Sequence, residues 1–293
     1  MHAAQRRAAW WFLAPALGVL VLFFLLPVCA GFALAFTDFD IYALGDRRLL
    51  RFAGLDNFTA LAGSPQFWRA LGNTLYFCIV GGCASIAVSL AAALLLDHRL
   101  ARFKPLWRTA LFVPVVTTLV AVAVVWRYLY HPRYGLINYG LQSLGIGPID
   151  WLGDPRWAMP ALILMAVWKN FGFNMVIFVA GLQGIPASLY EAARLDGAGP
   201  WQRFVHVTLP MLRPTFVFVL VTTVVGYLQL FAEPYVMTRG GPSDATLSVM
   251  LLMYDQGFRW WNMGYAAAIA VVVFALIAAV SALQMRLLRV RAA

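Results

Sequence analysis

Gly184-Ile185-Pro186-Ala187-Ser188-Leu189-Tyr190-Glu191-Ala192-Ala193-Arg194-Leu195-Asp196-Gly197-Ala198-Gly199-Pro200-Trp201-Gln202-Arg203-Phe204 is a polar stretch set between two apolar runs, Trp157–Ala180 and Thr215–Val236. Each run is about as long as the roughly 20 residues a helix needs to cross a bilayer. The stretch between them patterns as helix: Pro186 suits a first turn and Gly197 a left-handed stop. Pro200, with its preset φ, then starts a second short helix through about His206. The segment Gly181–Arg213 therefore reads as two short helices joined by a glycine bend, in a loop outside the membrane. Leu189, Ala192, Ala193 and Leu195 give the first helix a small apolar face, and the two alanines permit close approach by another backbone. Such a face fits a partner's groove; an amphipathic helix lying on lipid is the alternative.

Moving outward from this loop, four further apolar runs can each hold a spanning helix: Trp10–Phe36, Leu71–Leu96, Leu106–Leu129 and Tyr265–Leu283. Trp10–Phe36 is too long for a signal-peptide core and continues past Cys29, so it reads as the first retained span. Across 293 residues the chain is 62% hydrophobic and 12% charged, against roughly 45–50% and about 25% in soluble proteins. These proportions exclude a soluble fold and predict an all-α membrane protein with six spans in a single domain, residues 1–293. Pro15, Pro105 and Pro214 are expected near helix starts, whereas Pro27 and Pro114 are expected to kink their spans.

The net charge of +10 would suggest nucleic acid in a soluble protein. Here the basic residues flank the apolar runs, where anionic lipid and topology account for them, so no nucleic-acid partner is expected. With the N-terminus in the cytoplasm, twelve basic residues fall inside: Arg6, Arg7, Arg99, Arg102, Lys104, Arg108, Arg194, Arg203, Arg213, Arg286, Arg289 and Arg291. Eight fall outside, on longer loops: Arg47, Arg48, Arg51, Arg69, Arg133, Arg156, Arg239 and Arg259. The bias predicts both termini, and the Gly181–Arg213 loop, in the cytoplasm. The outer loop Thr37–Arg69 carries Asp38, Asp40, Asp46 and Asp56 among its arginines and is polar enough to be structured. Cys29, Cys78 and Cys83 lie in apolar runs without metal-ligand spacing to the four histidines, so no metal is expected.

Glu191-Ala192-Ala193, Gly197 four residues later, and then Val207-Thr208-Leu209-Pro210 resemble the EAA loop of binding-protein-dependent ABC importer permeases. The family usually has Ile where this chain has Val207. Three more stretches narrow the likeness to the carbohydrate-uptake branch, to the subunit like the first permease of maltose and glycerol-3-phosphate importers. They are Gly54-Leu55-Asp56-Asn57-Phe58, Phe67-Trp68-Arg69-Ala70-Leu71-Gly72-Asn73-Thr74 and Tyr235-Val236-Met237-Thr238-Arg239-Gly240-Gly241-Pro242.

This resemblance implies the type I ABC importer permease fold and a bacterial inner-membrane location. It implies a heterodimer with a second permease, two cytoplasmic ATPase subunits and an external solute-binding protein. It also implies that Glu191, Ala192, Ala193, Asp196, Gly197, Pro200, Leu209 and Pro210 couple the ATPase to transport of a sugar or sugar-like solute. The chain has no phosphate-binding Gly-x-x-x-x-Gly-Lys-Ser/Thr loop, so the expectation is a non-catalytic subunit without cofactor, with ATP bound by its partners.

Ionisable groups inside spans are expensive and therefore functional candidates. Lys169, beside Asn170 and near Asn174, is expected either to face a cavity or to form a structural ion pair. Arg127 and Glu233 are expected near outer helix ends, where they can snorkel to the interface or meet solute. Thr223, Tyr227, Leu230 and Glu233 recur at helical spacing and so share one face of the fifth span, mixing hydroxyl, aromatic and carboxylate groups that suit a sugar. By motif position the resemblance places Asn170, Phe173, Thr223 and Tyr227 on the solute path, with helix packing through polar residues the alternative for each. An ion-gradient-driven secondary transporter would need buried carboxylates and an inverted repeat, and glycerol-3-phosphate is the alternative solute within the family.

Overall fold

The computed structural model describes residues 2–44, 51–97 and 103–287, with the side chains of residues 2–9, 43 and 44 left aside. Asp46, Arg47, Arg48, Arg99, Arg102, Arg289 and Arg291, and the side chains of Arg6 and Arg7, lie outside the described set. The described residues are mostly helical: α1 (His2–Leu20), α2 (Leu26–Leu34), α3 (Asp56–Ala62), α4 (Pro65–Tyr76), α5 (Gly82–Asp97), α6 (Lys104–Val116), α7 (Leu119–Leu129) and α8 (Leu136–Ser143). Then follow α9 (Pro155–Gln183), α10 (Ala187–Leu195), α11 (Pro200–Arg203), α12 (Leu209–Met211), α13 (Arg213–Leu228), α14 (Ala232–Met237), α15 (Val249–Tyr254) and α16 (Met263–Leu287). Among the described residues, extended pairing is confined to two isolated bridges.

Among the described residues, five helical stretches are long and apolar enough to cross a bilayer: Trp10–Leu34, Pro65–Asp97, Pro155–Gln183, Arg213–Met237 and Met263–Leu287. The sixth expected span, Leu106–Leu129, is not one helix: α6 and α7 meet at 97°. The bend is not at Pro114, which sits inside α6, but at Thr117 and Thr118, both extended, with Thr117 Oγ1 bonded back to the Pro114 carbonyl at 2.6 Å. Two consecutive β-branched residues that can bond their own backbone favour leaving the helix there. Pro15 also departs from expectation, lying within α1 rather than near its start.

Prolines shape three other interruptions. A proline ring clashes with the carbonyl four residues back, so the helix must open ahead of it. Wide π turns at Val21–Leu25 and Phe204–Thr208 each precede a proline by two residues, Pro27 and Pro210, and close with i−5 bonds from Leu26 to Val21 and from Leu209 to Phe204. Pro234 goes further. The helix stops at Leu228 and restarts at Ala232, and the Leu230 carbonyl, which Pro234 cannot serve, accepts from Ser248 Oγ at 2.6 Å.

By their contacts the residues form two compact units. In the first, Met1–Phe67 with Leu252–Ala275, Asn57 Nδ2 donates to the carbonyls of Ala35 (2.9 Å) and Thr37 (2.8 Å), tying down the chain just beyond α2. Gly264 fits because its missing Cβ would strike the Thr37 carbonyl. This part of the outer loop is structured as its composition suggested. In the second unit, Trp68–Leu251 with Leu276–Ala293, α9 is central, and 67% of its most apolar window is buried against 0% for Trp10–Leu34. One apolar core gathers Leu162, Met165 and Tyr130, whose hydroxyl donates to the Ala161 carbonyl at 2.8 Å. Another gathers Met175, Phe178, Leu212 and Val219. Helix α6 crosses α9 at Gly172, where a Cβ would meet the Leu111 carbonyl. Small residues at such crossings let membrane helices pack closely.

Candidate functional site

The break before Pro234, the bend after α6 and the middle of α9 line an open cavity of about 500 Å3 in the second unit. Asn170, Phe173, Thr223, Tyr227 and Glu233 all line it, as do Lys169, Asn174, Phe77 and Gln229. The expected single face of the fifth span is not continuous, since α13 ends at Leu228. The cavity reunites the stripe because α14 turns Glu233 back toward Thr223 and Tyr227.

Glu233 is also not a snorkelling residue. It is buried at 9% exposure, because the restart of the helix at Ala232 carries it inward. Arg127 does behave as an exposed helix-end residue, donating to the Val236 carbonyl at 3.4 Å. Lys169 faces the cavity, with Nζ 3.4 Å from the carbonyls of both Pro114 and Val115. Those belong to the last turn of α6, whose carbonyls lack amide partners in their own helix, and a cation there is favoured by the helix dipole.

Tyr227 stands on a second irregularity. A π turn at Phe77–Gly81 joins α4 to α5, and Gly81 lies so close that a Cβ would come within 2.8 Å of the Tyr227 ring. The ring stacks on Phe77 with centroids 5.1 Å apart. Its hydroxyl, beside Ser85 and Asn170, is buried without completing a hydrogen bond among the described residues. Thr223 Oγ1 is already engaged, accepting from Asn174 Nδ2 at 2.9 Å. Sequence reasoning missed Gly81, Gln229 and Phe77; the Gly81-Gly82 pair in an apolar run was the available signal.

The loop 187–211 has the opposite character. Helix α10 ends in a Schellman turn, with Ala198 N bonded to the Ala193 carbonyl at 2.9 Å, Gly197 N to that of Arg194 at 3.0 Å, and Gly197 at φ +77°. Pro200 opens α11, and Gln202 Oε1 accepts from Gly199 N at 2.8 Å. Helical structure then continues past the expected end at His206 through the π turn into α12, because the wide turn accommodates Pro210 rather than terminating the chain. Tyr190 and Thr208 join the two arms by a 2.9 Å hydroxyl contact. Glu191, Ala192, Asp196, Gly197, Pro200 and Pro210 are exposed, while Ala193 and Leu209 are half-buried. Leu195 is 91% exposed.

The Phe67–Thr74 stretch meets the loop just after Tyr235–Pro242. Asn73 Nδ2 donates to the carbonyls of Asp244 (2.8 Å) and Leu247 (2.9 Å), and Arg69 to that of Ser243 at 3.3 Å. Helix α4 thus clasps the loop that follows Tyr235–Pro242, next in chain to the α14 wall of the cavity.

Comparison with known proteins agrees with this architecture. Residues 85–291 match the family model described as "Binding-protein-dependent transport system inner membrane component". The chain is 37% identical to the lactose transport system permease protein of Rhizobium radiobacter, over 94% of this chain and 92% of that one. It is 35% identical to the sulfoquinovosyl glycerol transport system permease protein of Agrobacterium fabrum, over 99% and 93%. Its fold superposes on a chain of the crystal structure of a bacterial ABC transporter involved in import of the acidic polysaccharide alginate, with TM-score 0.83 at 22% identity and 100% of both chains covered. A chain with helices of bilayer length, a cavity lined in part by polar side chains, and an EAA-type loop that forms an exposed helical elbow therefore belongs to the inner-membrane components of binding-protein-dependent transport systems, the permease subunits of ABC importers.

Proposed function

We propose that this permease forms half of the translocation pathway for a sugar, that the cavity between α9, α13 and α14 is its solute-contacting wall, and that the loop 187–211 docks a separate ATPase. The observation that carries the reading is the cavity, where an aromatic pair and buried hydroxyl and amide groups converge in an otherwise apolar helix bundle. Sugars present hydroxyls to such groups and a ring face to such aromatics. Relatives named for sugars support the solute class over glycerol-3-phosphate. Membership of the ABC family sets aside an ion-gradient-driven transporter.

Two ATPase subunits, a second permease and an external solute-binding protein complete the importer, ATP being bound by the ATPase subunits and no cofactor by this chain. Both termini and the loop face the cytoplasm, as the arginine bias favours. The exposed Leu195 and Leu189 beside Glu191 are the docking surface on α10, with Gly197 setting the elbow.

The test is uptake of radiolabelled sugar by proteoliposomes holding the complete importer. Tyr227→Ala or Asn170→Ala should weaken uptake about tenfold or change solute preference, from the loss of one aromatic or hydrogen-bonding contact to solute, while ATPase binding stays intact. Unchanged kinetics in both variants would remove the cavity from the pathway. For orientation, a cysteine placed at Gln202 should stay unlabelled by an impermeant thiol reagent in intact cells.

A further inference from the structure

Ser85 and Tyr227 are buried beside each other, at 0% and 5% exposure, and neither side-chain oxygen completes a hydrogen bond among the described residues. Tyr227 lines the cavity, whereas Ser85 stands behind the wall on α5. Resting on the pathway reading above, we propose that Ser85 is a positioning residue for solute: its hydroxyl pairs with that of Tyr227 when a saccharide seats against the wall, and so fixes the ring in place.

The packing singles out this pair. Gly81 and Ser85 are four residues apart and share a face of the helical stretch that continues into α5. Gly81 admits the edge of the Tyr227 ring, since a Cβ there would stand 2.8 Å from its Cε1, and Ser85, one turn on, meets its tip. Phe77 covers a ring face at 5.1 Å between centroids. The ring is thus backed by Phe77 and Gly81 while its hydroxyl is left untied. Neighbouring hydroxyls are committed elsewhere: Ser89 Oγ, a further turn along α5, donates to the Phe171 carbonyl at 2.9 Å, and Thr223 Oγ1 accepts from Asn174 Nδ2 at 2.9 Å. Asn170 also lies beside the Tyr227 hydroxyl, but it lines the cavity, where its amide can turn to solute. Ser85 has no such alternative.

A hydroxyl both donates and accepts, so one bond between the two oxygens satisfies a donor on one side and an acceptor on the other. Leaving them apart in a buried site is costly. A saccharide stacked on the ring and held by Asn170 narrows the positions open to the ring, and a bond between groups already fixed loses less entropy on forming. Solute thereby favours the bond, and by reciprocity the bond favours solute, although Ser85 touches none of it. One net hydrogen bond amounts to about fivefold in affinity.

The experiment is calorimetric titration of lactose, trehalose and maltose into the purified importer complex in nanodiscs, without the external binding protein. The sugar that wild type binds most tightly then serves for the variants. Ser85→Ala and Tyr227→Phe should each weaken binding about fivefold. The double variant should bind no more weakly than either single one, because each removes the same bond. Ser85→Cys fills the space with only a weak hydrogen-bonding group and should weaken binding as Ser85→Ala does; it also replaces that variant should Ser85→Ala fail to co-elute with the ATPase subunits. Losses that multiply to about 25-fold in the double variant, wild-type affinity in the Ser85 variants, or affinity restored by Ser85→Cys overturns the positioning role, and the pathway stands if Tyr227→Ala still weakens binding. Tyr227→Ala indistinguishable from wild type, or no binding of any of these sugars by wild type, overturns the pathway reading as well.

Discussion

The cavity and the elbow loop invert the ordinary burial rule in opposite directions. The cavity buries Thr223, Tyr227 and Glu233, whereas the loop exposes Leu195 and Trp201. Buried polar groups and exposed large apolar groups are the informative exceptions in a protein. In the function proposed above, a solute would meet the first and a partner's groove the second. Their construction differs as well. The loop is one contiguous stretch held by its own caps, while the cavity is assembled from residues 77, 115, 169–174 and 222–233 at points where helices bulge or break. A change in the loop should therefore uncouple transport without altering solute affinity, and a change in the cavity should do the reverse.

The largest effect should come from the loop. Glu191→Lys reverses an exposed charge at the proposed docking face, and Gly197→Val forces a β-branched residue to φ +77°. No atom lies within 4 Å of the missing Gly197 Cβ, so the cost there is conformational, about 1–2 kcal/mol. Because a misplaced charge pair in an interface costs about 2–5 kcal/mol, solute-stimulated ATP hydrolysis by the reconstituted importer should fall about 100-fold. Solute capture by the external binding protein should remain normal. If both variants keep wild-type stimulation, the elbow is not the coupling element and the contrast between the regions collapses.

An intermediate effect is expected from Gly81→Ala. The added methyl would sit 2.8 Å from the Tyr227 ring, which must swing toward the cavity. Overpacking of this kind costs about 1–3 kcal/mol. Half-saturation for uptake should rise about tenfold, with the ATPase turnover at saturating solute little changed. A fall in turnover with unchanged half-saturation would show that the ring belongs to the moving parts rather than to the solute wall.

The smallest effect should follow Tyr190→Phe, which removes the 2.9 Å contact to Thr208 between the two arms of the elbow. One partly buried hydrogen bond contributes about 1 kcal/mol. Coupling efficiency, read as solute transported per ATP hydrolysed, should drop by about half or less while both arms stay helical by cysteine-accessibility scanning. An effect as large as that of Glu191→Lys would mean that rigidity of the elbow, more than its docking surface, carries the coupling.

Much of the scaffold was legible. Six apolar runs of bilayer length correspond to five long helices and one bent pair, since in hydrocarbon a backbone must satisfy its own hydrogen bonds and helix is the available solution. Gly197 was legible for a similar reason, as its left-handed φ depends on its own residue type. The site was only partly so. Thr223 and Tyr227 lie together on α13 as their spacing implied, but Glu233 was expected at an interface and is buried. Pro234 marked the interruption ahead of it, yet where α14 then points depends on α7, against which it packs. Lys169 could be recognised as an inward-facing charge but not as the cation at the end of α6, because the bend at Thr117-Thr118 that leaves those carbonyls open was expected at Pro114.

By itself, then, the sequence determined the membrane class, the apolar runs that become helices, and the elbow with its cap, because each follows from local chemistry or from the length of an apolar run. The tertiary structure alone decided that Phe77, Lys169, Tyr227 and Glu233 line one cavity, that the Lys169 ammonium is already engaged, and that α4 clasps the loop after α14. Those facts depend on which broken helix end faces which neighbour, and that is set by close packing among distant segments, at Gly81 against Tyr227 and at Gly172 against Leu111.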